Sequence, residues 1–154
     1  PQRTPFQWAP AGEEWGERSV QLEGGSSEGV YLGWNGVRHH RRVRVSSHEL
    51  VIEDSVTGGR HQLVFPLHFA AGLSLQRHSD GGWQLRLPTG RVVRVNVDDT
   101  FETQRLGPGD DRCRRAPGYG QVSTGPTLWS EGALESAHRR VTRINWSPDS
   151  AALD

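Results

Sequence analysis

Apolar residues in this chain nowhere recur at helical spacing for three turns. What recurs is alternation at every second residue, in short runs punctuated by glycine, proline and asparagine. That pattern restricts the chain to strands. The run VRHHRRVRVSSHELVIED, residues 37–54, holds two strand-like segments around a polar turn, Ser46-Ser47-His48-Glu49. In the first segment Val37, Val43 and Val45 share one face, and Arg38, His40, Arg42 and Arg44 share the other. The second, Leu50 to Glu53, is apolar and ends at Asp54. Together they read as a β-hairpin.

Ser19–Glu23 and Val30–Leu32 are further strands, and Asn35-Gly36 is a strong turn because both residues tolerate positive φ. His61, Leu63, Phe65, Leu67 and Phe69 alternate with Gln62, Val64, Pro66 and His68. Pro66 cannot donate to a ladder, so it is expected on an edge or at a bulge. Trp83–Leu87 and Arg91–Val97 form the clearest hairpin. Leu106–Arg115 reads as a polar loop, Gly132 as a turn, and Arg140–Trp146 as the last strand. Short strands at regular spacing imply an all-β fold with negligible helix, an antiparallel β-sandwich of the supersandwich kind. The expected organisation is a loop-rich lead-in over 1–17, a sandwich over 18–146 and a flexible tail over 147–154. Three lead-in aromatics, Phe6, Trp8 and Trp15, are expected to cover a core edge.

The chain has 154 residues, enough for one domain with a core, and 33% apolar residues with 19 glycines suit strands that bury one face each. Formal net charge is zero, so no global field draws in nucleic acid or an anionic membrane. No apolar run approaches the roughly 18–20 residues of a membrane span. The chain does not open with methionine, and its N-terminus is expected to lie further upstream. Cys113 is alone in an arginine-rich loop that favours its thiolate, but no base accompanies it.

The basic row is the most specific candidate site. Arg38, His40, Arg42 and Arg44 would stand about 7 Å apart on one sheet face, at twice the strand rise. They repel one another unless acids or an anionic ligand meet them. Two readings are open. Glu49, Glu53 and Asp54 supply the acids across the hairpin, or the row receives acidic sugar or an acidic neighbouring domain through its planar guanidinium forks. His40, Asp54 and His68 are weak metal candidates; hydrogen bonding on an open sheet face is the favoured account of them, since their spacing is not characteristic of a metal site. No catalytic residue is assigned. There is no GxSxG, P-loop, HExxH or helix-opening GxGxxG.

The order of segments carries a resemblance. HHRRVRV, ELVIEDSVTGGRHQ, LVFPLHFAAGLSL, APGYGQVSTGPTLW and RRVTRINW are together similar to the C-terminal β-sandwich of heparinase II/III-like polysaccharide lyases. The matching residues are His40-Arg41-Arg42, Asp54, His68, Tyr119-Gly120 and Val141-Thr142-Arg143-Ile144. QRTPFQW resembles the family's lead into this domain. Ala71-Gly72 departs from the usual Pro-Gly, and Ala116-Pro117-Gly118 from the usual Ser-Pro-Arg-like residues.

The resemblance implies β-elimination at a uronic acid by the parent protein. A base removes the proton α to the carboxylate, an acid assists the leaving oxygen, and a cation neutralises the carboxylate. It places the catalytic histidine, the metal-binding residues and the helical toroid upstream of Pro1, and His40 is not that catalytic histidine. The chain alone is then expected to be inactive, with no cofactor of its own and any divalent metal bound upstream. Its implied partners are the toroid of the same polypeptide and an acidic polysaccharide such as a glycosaminoglycan. The implied setting is a bacterial periplasm or the outside of the cell. Two alternatives stand beside this: a stand-alone module that binds acidic glycans through the arginine row and exposed tryptophans, and a small enzyme using His40, Asp54 and His68.

Overall fold

The computed structural model describes residues 2–4, 7–8, 18–33, 36–107, 109–115 and 122–146. Strand β1 (Gln2–Thr4) pairs with β2 (Gln7–Trp8) inside the segment expected to be loop-like. The packing expected of Phe6, Trp8 and Trp15, the Asn35 turn residue, Tyr119-Gly120 and the tail over 147–154 lie outside the described residues or side chains.

Hairpins form where turn chemistry permits them. β3 (Arg18–Glu23) and β4 (Ser26–Leu32) meet at Gly24-Gly25, both at positive φ. β5 (Arg38–Val45) returns through Ser46–His48 into β6 (Glu49–Thr57). There Ser46 Oγ accepts from the backbone N–H of Glu49 at 3.1 Å, so a serine side chain closes the turn. β6 runs three residues past Asp54, where the sequence was expected to end it. Thr57 has a register partner on both sides, Arg38 and Ala137, so the ladder continues.

β7 (His61–His68) keeps the expected alternation, with Leu63, Phe65 and Leu67 inward and Pro66 on an edge strand. β8 (Ser74–Arg77), β9 (Trp83–Arg86) and β10 (Val92–Asp98) form a meander, and Leu85 stands opposite Val93 as the hairpin pattern requires. β11 (Thr103–Leu106) follows the meander, and the Leu106–Arg115 stretch expected to be a loop also holds a 3-10 turn at Asp111–Cys113 and β12 (Arg114–Arg115), which pairs with β13 (Ser123–Thr124). β14 (Thr127–Leu134) and β15 (Ala137–Trp146) complete the order.

The large sheet has the order β3-β4-β5-β6-β15-β10-β9-β8 and the small one β11-β14-β7, with every pairing antiparallel. The final strand is therefore central. The sheets share a corner: Thr57 faces Ala137 in the large sheet, and His61 faces Leu134 in the small one. Gly58 turns that corner at φ 149°, donating its N–H to the Ser136 carbonyl at 3.1 Å. A Cβ there would stand 3.0 Å from Val37 Cα, so glycine is needed for space as well as for φ.

Face-to-face packing of the two sheets makes the main core. Leu75, Trp83, Leu85 and Val95 of the large sheet meet Leu67 and Leu128 of the small one. Leu75 and Leu128 are essentially inaccessible, and each such side chain stabilises the fold by about 1.5–3 kcal/mol. A second cluster gathers Val56, Phe65 and Leu134, with Phe101 against it.

Gly132 is not a turn. It lies within β14 opposite Leu63, and a Cβ on it would overlap the edge atoms of the Phe101 ring. Phe101 fills the space that a side chain would take. Gly132→Ala is expected to cost about 1–3 kcal/mol through overpacking, read as a lower urea midpoint. An unchanged midpoint would mean that Phe101 moves aside freely.

Candidate functional site

Alternation sends consecutive residues of His39-His40-Arg41-Arg42 to opposite faces of β5, so this tetrad builds two clamps. On the inner face, which continues into the core, His39 Nε2 and Arg41 Nε both donate to Asp54 Oδ1 at 2.7 Å, and Arg41 Nη2 donates to Oδ2 at 3.2 Å. On the outer face His40 Nε2 donates to Glu28 Oε1 at 2.7 Å, while Arg42 Nε and Nη2 reach Oε2 at 2.9 and 2.7 Å. Each clamp is a histidine and an arginine two residues apart closing on one carboxylate. One ties β5 to β6, the other ties it to β4.

A third clamp of the same pattern lies on β15. His138 Nε2 is 3.1 Å from Asp99 Oδ1 and Arg140 Nε is 3.4 Å from Oδ2, with all three side chains at most 5% exposed. These contacts are ionic in distance but misaligned, and Asp99 Oδ2, His138 Nε2 and Arg140 Nε find no hydrogen-bond partner among the described residues. Arg140 Nη1 does donate to the Phe65 carbonyl at 3.1 Å. His138 is stacked between Phe101 and Phe65, at 4.0 and 5.4 Å between centroids. Ladder register sets Asp54 directly between Arg41 and Arg140. The inner face thus carries a charge row that alternates in sign from Arg41 through Asp54 and Arg140 to Asp99.

The electrostatics follow the geometry. Burial pushes the Asp54 carboxyl up, but hydrogen bonds from His39 and Arg41 and the charge of Arg41 outweigh it, and the net shift is downward. Hydrogen bonds from Arg42 and then His40 hold Glu28 below the usual carboxylate range. Burial lowers Arg140 despite the charges of Asp99 and Asp54.

The candidate row Arg38, His40, Arg42, Arg44 does share one face. His40 and Arg42 take Glu28, and Arg44 takes Glu53 at 2.6 Å. No ion pair to Arg38 is found among the described residues. Of the acids expected across the hairpin, Asp54 serves the opposite face, because its partner in register is Arg41 and not Arg42. Glu49 accepts from Asn145 instead, at 3.0 Å. Glu28 was missed because a two-residue turn at Asn35-Gly36 would set Gly29 opposite Arg42, whereas the observed register sets Glu28 there. Asp99, His138 and Arg140 were missed too, since no local rule joins residues so far apart.

The weak metal candidates do not come together. His40 and Asp54 occupy opposite faces of the large sheet, and His68 sits in the small sheet with its Nδ1 on Thr127 Oγ1 at 2.9 Å. Among the described residues no three His, Cys, Asp or Glu side chains are placed to share a metal ion. Cys113 is fully buried, which removes it from solution chemistry. Trp83, Trp129 and Trp146 have internal partners. Trp83 is buried with Arg77 over its ring, Trp129 Nε1 donates to Glu131, and Trp146 Nε1 donates to the Ser47 carbonyl. A surface cavity of about 350 Å³ lies at the hairpin end of β5, lined by Gly25, Ser26, Arg44, Val45, Glu49 and Val51. No helix among the described residues is long and apolar enough to cross a membrane.

Fold and site together define an antiparallel β-sandwich domain whose large sheet is laced by histidine–arginine–carboxylate clamps. The chain belongs to the heparinase II/III-like, C-terminal family, whose profile matches residues 5–147. It is similar in structure to heparinase III, the BT4657 gene product, with a TM-score of 0.67 at 16% identity over 88% of this chain. Another heparinase III crystal structure gives 0.60 at 18% identity over 88% of the chain. A heparan sulfate lyase HepC mutant from Pedobacter heparinus gives 0.57 at 10% identity, also over 88%. The chain spans 22% of each of these proteins. A 4-alpha-glucanotransferase from Thermococcus litoralis shares the fold at a TM-score of 0.51 and 9% identity, covering 84% of this chain and 22% of that one. The same sandwich therefore accompanies an unrelated activity, and fold alone does not carry function. No curated protein matches the chain.

Proposed function

We propose that this chain is the non-catalytic C-terminal β-sandwich of a polysaccharide lyase, one that cleaves uronic-acid-containing polysaccharide by β-elimination. Its role is to support an upstream helical catalytic domain of the same polypeptide, where any divalent metal would also bind. The observation that carries this reading is the family match over nearly the whole chain. The clamps support it. Elimination needs a base, an acid and a cation free to neutralise the substrate carboxylate. Here His40, Arg42 and Arg44 are already engaged with Glu28 and Glu53. Groups spent on internal pairing suit a scaffold.

The test is a paired lyase assay that follows the ultraviolet absorbance of the unsaturated uronide product. It compares the 154-residue chain with the longest reading frame that contains it, on heparan sulfate, hyaluronan, chondroitin sulfate and alginate. Product from the long form alone is the expected result and names the substrate. Product from the short chain would overturn the scaffold role.

A second reading keeps the row Arg38, His40, Arg42 and Arg44 as a glycan-binding surface of a stand-alone module. Its support is Arg38, exposed and without an ion pair among the described residues, with exposed Arg139 and Arg143 on the same face of β15. Binding of an acidic oligosaccharide that is lost in Arg38→Gln would favour it.

A further inference from the structure

The three clamps differ in what they bury. In the outer clamp of β5 the acid Glu28 is itself 36% exposed, so the pairing is a solvated surface contact. In the β15 clamp acid and bases alike are buried. Only the inner clamp of β5 combines a buried acid with accessible bases: Asp54 is 3% exposed, His39 33% and Arg41 50%. The buried carboxylate holds both side chains from behind. Their remaining donors, His39 Nδ1 when protonated and Arg41 Nη1, have no hydrogen-bond partner among the described residues. An imidazole and a guanidinium two residues apart, locked by one buried acid, hold their outward donors preorganised for an anion.

The surroundings narrow the ligand. Gly29 stands opposite Arg41 on β4 and brings no side chain beside the guanidinium. Tyr31 stands opposite His39 on the same face. Further along that face come the apolar pairs Val43–Ile52 and Val45–Leu50, with Val45 55% exposed. An anion receptor bordered by an apolar strip suits a ring that carries a charged substituent and a C–H face.

We propose that His39 and Arg41, positioned by Asp54, form an anion-binding subsite for the carboxylate or sulfate of an acidic saccharide, on the sheet face opposite the Arg38–Arg44 row. The subsite rests on the acidic-polysaccharide reading above. Asp54 is a positioning residue, since it touches the two bases and not the ligand.

The experiment is an NMR titration of the chain, reading the His39 imidazole and the Arg41 Nε–H signals. The probes are a heparan sulfate octasaccharide, a hyaluronan octasaccharide and a neutral malto-octasaccharide. Both signals are expected to move with the acidic probes and not with the neutral one. Movement with hyaluronan identifies a carboxylate, and movement with heparan sulfate alone identifies a sulfate. Arg41→Gln and His39→Gln are each expected to weaken binding about tenfold, the loss of one charge-assisted hydrogen bond. The outer-face double variant Arg42→Gln/Arg44→Gln should change it less than about twofold, because those side chains keep to Glu28 and Glu53. If an inner-face variant fails to fold, the wild-type signals decide. Saccharide binding that leaves His39 and Arg41 unmoved would overturn the subsite, as would loss of binding in the outer-face variant or no binding at all. Lyase activity of the long form alongside unmoved signals would remove the subsite and leave the proposed function standing.

Discussion

Arg140→Ala is expected to destabilise the domain by about 3–5 kcal/mol, the cost of leaving a buried charge without its partner. Arg140 is 3% exposed and lies between two carboxylates: Asp54 beside it in the ladder and Asp99 at the end of β10. Its removal strands Asp99, which is 1% exposed and keeps, among the described residues, the His138 imidazole at 3.1 Å but no permanent positive charge in ion-pair contact. The Phe65 carbonyl loses its donor as well. Against a typical total stability of about 5–15 kcal/mol, such a loss is large. The physical cause can be isolated. The double variant Arg140→Met/Asp99→Asn removes both charges, keeps the volume, and preserves the acceptor for the Phe101 N–H at 2.9 Å. It should therefore be markedly more stable than Arg140→Ala, because no charge stays buried alone. Urea midpoints of both variants check this. A double variant as weak as the single one would show that the loss comes not from stranding the Asp99 charge but from what only the guanidinium supplies, its hydrogen bond to the Phe65 carbonyl and its place 5.3 Å from the Phe65 ring.

Asp54→Ala is expected to cost about 3 kcal/mol, the low end of the same range. Arg41 and His39 are exposed enough to regain water, whereas Arg140 is not. The effect has a pH signature. The Asp54 carboxyl is held below its ordinary value in the folded chain. Its contribution is therefore complete above the unfolded carboxylate range, about pH 4, and is lost as pH falls through the lower folded value. Thermal midpoints of wild type and variant should differ at neutral pH and converge in acid. A gap that stays constant down to low pH would mean that Asp54 acts by shape and not as an ionised group. Glu28→Gln, at a solvated clamp, should shift the midpoint far less.

The strands were legible where alternation and turn chemistry agree. The β5–β6 and β9–β10 hairpins appear as read, and Pro66 sits on an edge because a missing N–H is harmless there. Asp54 and Gly132 were misplaced for one reason. A local reading takes a charge or a glycine as a boundary, yet neighbours in space made both of them strand interior. Arg140 beside Asp54 and Leu63 beside Gly132 belong to strands read as distant segments, and only assembly shows that Phe101 covers the glycine and that Arg41 and Arg140 flank the acid.

The candidate site was half legible. Period-two geometry placed Arg38, His40, Arg42 and Arg44 on one face without any structure. It equally required His39 and Arg41 to face the other way, beside Asp54, so the inner clamp was within reach of the pattern once register was known. Family membership was legible as well, in an ordered series of short segments that the profile match over residues 5–147 bears out.

By itself, then, the sequence determined the all-β class, most strand positions and the two-sided character of β5, because these follow from side-chain alternation and turn preference along one stretch of chain. The partner of each charge was decided only in the tertiary structure. Asp99 meets His138 and Arg140 across some forty positions of sequence, as about forty residues must fold between them before the contact exists. Burial then separates a structural clamp from an accessible one, and burial is a property of the assembled sheets, not of any segment within them.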